Sequence, residues 1–404
     1  MKKHLIPLCF LVICIMILSS CENALTNETG EDSISSPVPE SSSLRGDEYI
    51  FETTVAPLII ENSSYNFWLP CEYDYFYRLS SGVGLFKKDG MYSLIYDDKS
   101  MIFSTFEYEV INSYKNMVCI QSTENNLYGL MYRDGNIIIE PQYDSPLEFT
   151  EDLAAVIHNG KLGYINTGGE LVIDCFYEWG GPFSEGLAAV GIGEQFWFID
   201  IKGEVISGPY EFTNMDTFSV TVAYMAYSEG YTAYFEKNEE GTAAFGGGGY
   251  WGYLDKGGNV AIPAQYSFVR PFKGGLAAVE TKDGQWIYID KNGRKVMDGT
   301  PSDFSDGLAC TGKEFIDKSG NTVVKIPEKY QIETSAQQGI DNFRDGLIVL
   351  FRHENMRSIY SVMDINGEIV LESADFEEVK IFKEKLVAVK INGKWGVIHI
   401  PEKN

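Results

Sequence analysis

From Tyr49 onward the apolar residues come in short runs cut by Gly, Asn and Asp, and no stretch sustains a helical period. One run recurs. It stands as Phe149-Thr-Glu-Asp-Leu-Ala-Ala-Val156, Phe183-Ser-Glu-Gly-Leu-Ala-Ala-Val190 and Phe272-Lys-Gly-Gly-Leu-Ala-Ala-Val279, and in looser form from Phe304, Phe343 and Phe382. A second run follows each copy, clearest as Trp251-Gly-Tyr-Leu-Asp255. Its copies begin at Tyr92, Tyr128, Leu162, Phe196, Trp251, Trp286, Lys313, Tyr360 and Trp395, a period of about 35 residues. A third phrase closes the unit, as in Pro141-Gln-Tyr-Asp144, Pro263-Ala-Gln-Tyr266 and Asp174-Cys-Phe-Tyr-Glu178.

Each unit reads as three strands. Leu-Ala-Ala-Val is the first, and Asn159-Gly160 and Asn392-Gly393 then supply hairpin turns, which need positive φ at both central residues. The Trp-Gly run is the second strand, and Asp-Lys-Asn-Gly (Asp290 to Gly293) turns the chain into the third. The strands are apolar on both faces, so each small sheet must be covered on both sides, which stacking of neighbours achieves. The expected fold is all-β: tandem three-stranded antiparallel β-meanders of about 35 residues in a propeller-like closed array. The phase of the repeat favours closure. The chain opens on a third phrase (Phe67 to Asp74) without its first two, and ends on a second phrase (Trp395 to Ile398) without its third. The alternative is an open β-solenoid, similar to choline- or cell-wall-binding hairpin repeats.

The two phrases together resemble the WG (KWG) repeat family of bacteria, on Lys394-Trp-Gly-Val-Ile398 and Trp251-Gly-Tyr-Leu-Asp255 joined to Phe-Ser-Glu-Gly-Leu-Ala-Ala-Val. The resemblance covers roughly residues 70 to 400 and implies a β-repeat scaffold without a shared chemistry. Trp286 is followed by Ile287, and the copy at Lys313 has lost its aromatic, so the Trp positions do not form one uniform binding surface.

The N-terminus follows a different pattern. Lys2 and Lys3 precede an apolar run from Leu5 to Leu18, shorter than the roughly 20 residues that span a bilayer. The run ends in Leu18-Ser-Ser-Cys21, which resembles the lipobox of bacterial lipoproteins and implies a diacylglyceryl group on the Cys21 thiol. Residues 1–20 are thus expected to be a signal peptide and 21–48, rich in Ser, Glu, Asn and Pro, a lipidated disordered tether. Residues 49–404 form the repeat domain, with an insertion at 227–250. The expected location is outside the cell, on the outer face of the membrane, with the membrane as first partner.

Charge narrows the partners. The formal net charge is −26 and becomes about −28 once Lys2 and Lys3 leave with the signal, and no run of Lys or Arg interrupts it. Nucleic acid is not an expected partner, because its binding relies on basic side chains that neutralise phosphates. Cys71, Cys119, Cys175 and Cys310 lie far apart in apolar segments without a CxxC spacing, which reads as free thiols and no metal knuckle. His158, His353 and His399 fall in different units, and the Asp-Lys-Asn-Gly turns lack the distal Glu of a calcium loop. Neither a cofactor nor a metal is expected. Glu151, Glu185, Asp306 and Asp345 recur at one structural position, which argues for turn-shaping and against a catalytic pair. The expected role is non-catalytic: a binding or scaffold module for protein or envelope partners. The alternatives are recognition of cell-wall glycan and, from another class, a glycan-active enzyme. Tyr227, Tyr231, Tyr234 and Phe235, in the expected insertion, are the candidate ligand contacts.

Overall fold

A computed structural model describes residue 65 and residues 67–400, apart from 80–81, 97–99, 106, 194, 212–224, 238–248 and 333–341. The signal, the tether and Cys21 lie outside the described residues. All described residues belong to one compact unit, Glu52–Asn404.

Among them there is no helix. The chain forms nine small antiparallel sheets that follow one another as the blades of a propeller, numbered here in chain order. Blade 3 shows the plan: Phe149–Thr150, Leu153–His158, Lys161–Asn166 and Leu171–Tyr177, strands a to d from the axis outward. Seven sheets have four strands and two have three, so the expected three-stranded unit is corrected by one. The addition is the innermost strand, often only two residues long (Trp179–Gly180, Phe268–Val269) and thus too short to show a period. The nine expected second phrases all form c strands, from Met91–Ile95 in blade 1 to Lys394–His399 in blade 9.

Closure is as the phase of the repeat requires. Blade 9 takes strands a to c from the C-terminus (Glu378–Lys383, Leu386–Ile391, Lys394–His399) and its outer strand from the N-terminus, Phe67–Tyr73. Phe67 pairs with Ile398, Leu69 with Val397 and Tyr73 with Trp395. Tyr73, Phe76, Phe86, Phe382 and Trp395 share one core there. The open solenoid is therefore excluded.

The b strands are buried on both faces, as in Leu386–Ile391 and Leu187–Ile192. Packing between blades also explains a repeated glycine. In six turns between strands c and d the glycine sits against the third d residue of the preceding blade. Gly169, at φ +83°, meets Ile139, where any side chain would collide.

Candidate functional site

The repeated residues can be accounted for one by one. In the Trp-Gly pair, the aromatic packs beside the tyrosine of the third phrase: Trp251 lies opposite Tyr266 and Trp395 opposite Tyr73. Both tryptophans are buried. The glycine lets strand d cross close over strand c at a bulge. A Cβ on Gly129 would sit 2.5 Å from the carbonyl oxygen of Ile139, and one on Gly396 2.7 Å from the Cys71 nitrogen. In two blades that lack this glycine on strand c, a glycine at the end of or within strand d takes its place. Trp197 and Ile287 face Gly208 and Gly299, whose added Cβ would come within 2.9 Å of the c-strand backbone.

The polar repeats are occupied as well. The lysine that opens strand c pairs with the acid after the tyrosine: Lys161 with Glu178 at 3.2 Å, and Lys394 with Asp74. The Gly193 amide and Lys161 hold the Glu178 carboxyl below its usual range, and Lys394 does the same for Asp74. In the Asp-x-x-Gly turns the carboxylate accepts from its own turn. Asp290 Oδ1 receives the Asn292 and Arg294 amides at 2.9 Å each, and Asp255, Asp317 and Asp364 repeat this. No group of three or more His, Cys, Asp or Glu among the described residues is placed to hold a metal.

The acid of Phe-Ser-Glu-Gly does more than shape its turn. Glu151, Glu185, Glu229, Asp306 and Asp345 all stand at left-handed φ of 50–54°. The carboxylates of the first four reach the same turn of the next blade. Glu151 accepts from the Glu185 and Gly186 amides at 2.6 and 2.7 Å. Glu185 accepts from Gly230 at 2.8 Å, Glu229 from Gly274 and from Gly275 (2.8 Å), and Asp306 from Gly346 at 2.9 Å. Lysines of the next blade's outer turn add to two of them, Lys256 on Glu185 at 3.1 Å and Lys291 on Glu229 at 3.3 Å. The result is a run of carboxylate latches on the inner turns of blades 3 to 8, interrupted between blades 6 and 7.

Blades 6 to 1 carry a different inner lining. Asp303 takes Arg270 (2.5 Å) and Lys273 (3.2 Å), and Asn342 donates to Ser302 at 2.9 Å and to the Asp303 carbonyl. Arg78 of blade 1 donates to the Phe382 carbonyl at 2.6 Å and to Asp345 of blade 8 at 3.3 Å. It thus reaches past blade 9, a contact available only beside the axis. Sequence reading misses this group because its members lie up to 304 positions apart.

The aromatic candidates are placed otherwise than expected. Residues 227–237 are not an insertion. Tyr227-Ser-Glu-Gly-Tyr231 is a further copy of the first phrase, with the same Ser228–Tyr231 bridge that Ser184 makes with Leu187, and Tyr231–Lys237 is a b strand. Tyr227 is buried against Phe198 and donates to the Asp255 carbonyl at 3.0 Å. Tyr231 packs on Phe272, Phe235 on Trp251, and the Tyr234 hydroxyl accepts from the Ala264 amide at 3.0 Å. The extra residues fall at 238–248 and 212–224, outside the described residues. His158, His353 and His399 sit on blades 3, 8 and 9. All four cysteines are free thiols, and burial pushes Cys119 up to about 12 and Cys71 to about 11.

A final feature is apolar and lies on the perimeter. On the outer strands of blades 3 to 7, Leu171, Val172, Phe176, Val205, Ile206, Val260, Val296 and Val323 are between 39% and 58% exposed.

A family model described as a WG containing repeat matches at residues 62–92, 128–161, 163–195, 251–286 and 360–395. Among solved structures, a eukaryotic initiation factor is similar at 12% identity, covering 86% of this chain and 88% of that one, with a TM-score of 0.35. BamB from Moraxella catarrhalis is similar at 8% identity, with coverages of 82% and 99% and a TM-score of 0.33. The WD40 domain of Pan2 from Neurospora crassa follows at 12%, with 83% and 90% covered and a TM-score of 0.28. No curated protein matches the chain.

Proposed function

We propose, from the premise that the chain is a WG-repeat protein, that it is exported, held on the outer face of the membrane through a lipid on Cys21, and serves there as a non-catalytic scaffold for a protein partner. The anchor rests on the Leu18-Ser-Ser-Cys21 box after an apolar run too short to span. The scaffold reading rests on one observation: the recurring polar groups are spent inside the fold, while the perimeter keeps apolar side chains exposed on five successive blades. Apolar patches of that kind mark contacts with other proteins.

The test is photo-crosslinking from Ile206 and Val260 in intact cells, followed by identification of the adducts. Discrete protein adducts, absent when the crosslinker sits at Lys202, support the reading. Adducts to cell-wall glycan, or turnover of glycan by the purified protein, would replace it with recognition or processing of the wall.

A further inference from the structure

From blade 3 to blade 8 the run of latches lacks one acid. At the fullest junctions a carboxylate from one blade seats on consecutive amides of the next turn, as Glu151 does on Glu185 and Gly186 and Glu229 on Gly274 and Gly275. At two junctions a lysine from the next blade's outer turn closes the seat: Lys256 over Glu185 and Lys291 over Glu229. Blade 7 has the same donors. Its inner turn presents the amides of Asp306 and Gly307, and its outer turn presents Lys318, at the position of Lys256 and Lys291. The residue that should fill this seat is Gly274 of blade 6, which has no side chain. A Cβ built there would lie 2.6 Å from Cε and 2.7 Å from Nζ of Lys318, so the ammonium reaches over the place where the acid begins elsewhere. Among the described residues neither amide has an acceptor and Lys318 has no carboxylate partner. Lys273 stands next to the site, although it is paired with Asp303. Asp306, Gly307 and Lys318 are all exposed to solvent.

We propose that the junction between blades 6 and 7 is a binding site for a carboxylate group carried by a ligand, held by the amides of Asp306 and Gly307 and the ammonium of Lys318. Two adjacent amides and a cation are the donor set on which the chain seats its own glutamates. Hydrogen bonds to an ionised acceptor are the stronger kind. The site goes beyond the scaffold reading and does not depend on the anchor.

The test is a titration of the intact protein in detergent, following the Asp306 and Gly307 amide resonances. The probes are N-acetylglutamate amide, a peptide bearing one internal glutamate, and inorganic phosphate. Saturable shifts of both amides with the two carboxylate probes are expected. A peptide affinity above that of the free amino-acid probe assigns the source to a polypeptide, and equal affinities assign it to a small carboxylate. Lys318→Gln should weaken binding by about tenfold. Gly274→Glu should abolish it, because the new side chain occupies the seat from the turn position where Glu151, Glu185 and Glu229 already stand. Absence of saturable shifts, shifts that persist in Gly274→Glu, or saturation by phosphate alone would overturn the proposal. These outcomes are read without any protein partner, so a failure here is separate from a failure of the crosslinking test.

Discussion

Replacing Gly396 by alanine should open the ring at its seam. The added Cβ would stand 2.7 Å from the nitrogen and 2.7 Å from the Sγ of Cys71, and 2.8 Å from the Leu69 carbonyl oxygen. The nitrogen and the carbonyl belong to the backbone of the N-terminal strand and cannot turn aside as a rotamer would. Two responses compete. If the strand stays, the overpacking costs about 1–3 kcal/mol. If it leaves, Leu69 and Tyr73 lose their burial at about 1.5–3 kcal/mol each, so departure costs roughly 3–6 kcal/mol. Strain is the cheaper response, and it lowers the free energy of transient release by about 1–3 kcal/mol, a rise of roughly 5- to 150-fold in the open population. Two readings report on it. Amide exchange across Trp395–Ile398 should accelerate. Alkylation of Cys71, half-buried and held at about 11 in the closed ring, should rise in step. Gly252→Ala is the control, because its Cβ meets the Ile262 carbonyl in the same way but inside blade 5. Unchanged exchange at 395–398, or equal Cys71 labelling in both variants, would refute the account of the seam.

Three further outcomes follow from the same contacts. Glu151→Gly keeps the left-handed backbone and removes the latch to blade 4, so thermal unfolding should show a loss of about 1 kcal/mol; an unchanged midpoint would mean the latch carries no stability. Asp74 and Glu178 are depressed in the folded state, so their contribution is full above the ordinary carboxylate values near pH 4 and is lost as pH falls through the lower folded values. Acid titrations of Lys161→Ala and Lys394→Ala should then be flatter than that of the parent, and identical curves would discount both pairs. Cys21→Ala should release the protein from the membrane fraction, and a variant that still incorporates a labelled fatty acid would remove Cys21 as the lipid site.

Much of this architecture is legible in the chain. The nine second phrases mark nine c strands, because Trp-Gly and its variants serve a local need, the crossing of strand d. Closure is legible because two incomplete ends complement each other. The inner strands are not, since two residues such as Trp179 and Gly180 carry no period. Aromatic substitution hides the copy at Tyr227-Ser-Glu-Gly-Tyr231, which reads as inserted loop although Tyr227 fills the place of Phe183. The latches escape for another reason. The turn role of Glu151 and Glu185 is local, whereas their acceptor role joins residues 34 to 45 positions apart. The seat at blade 7 did leave a trace, Lys273-Gly-Gly in place of Ser-Glu-Gly, visible only once the partner of the acid is known.

The seam also sets an order in time. Phe67–Tyr73 leaves the ribosome long before its partner Lys394–His399. At about 5–20 residues per second the first strand waits roughly 15–65 seconds for the edge that completes it. Through that interval Phe67, Trp68 and Leu69 belong to an unpaired apolar strand, open to pairing with another chain. A product truncated before Lys394 is then not a slightly shorter ring. Eight blades are finished, yet the strand made first has no edge to join.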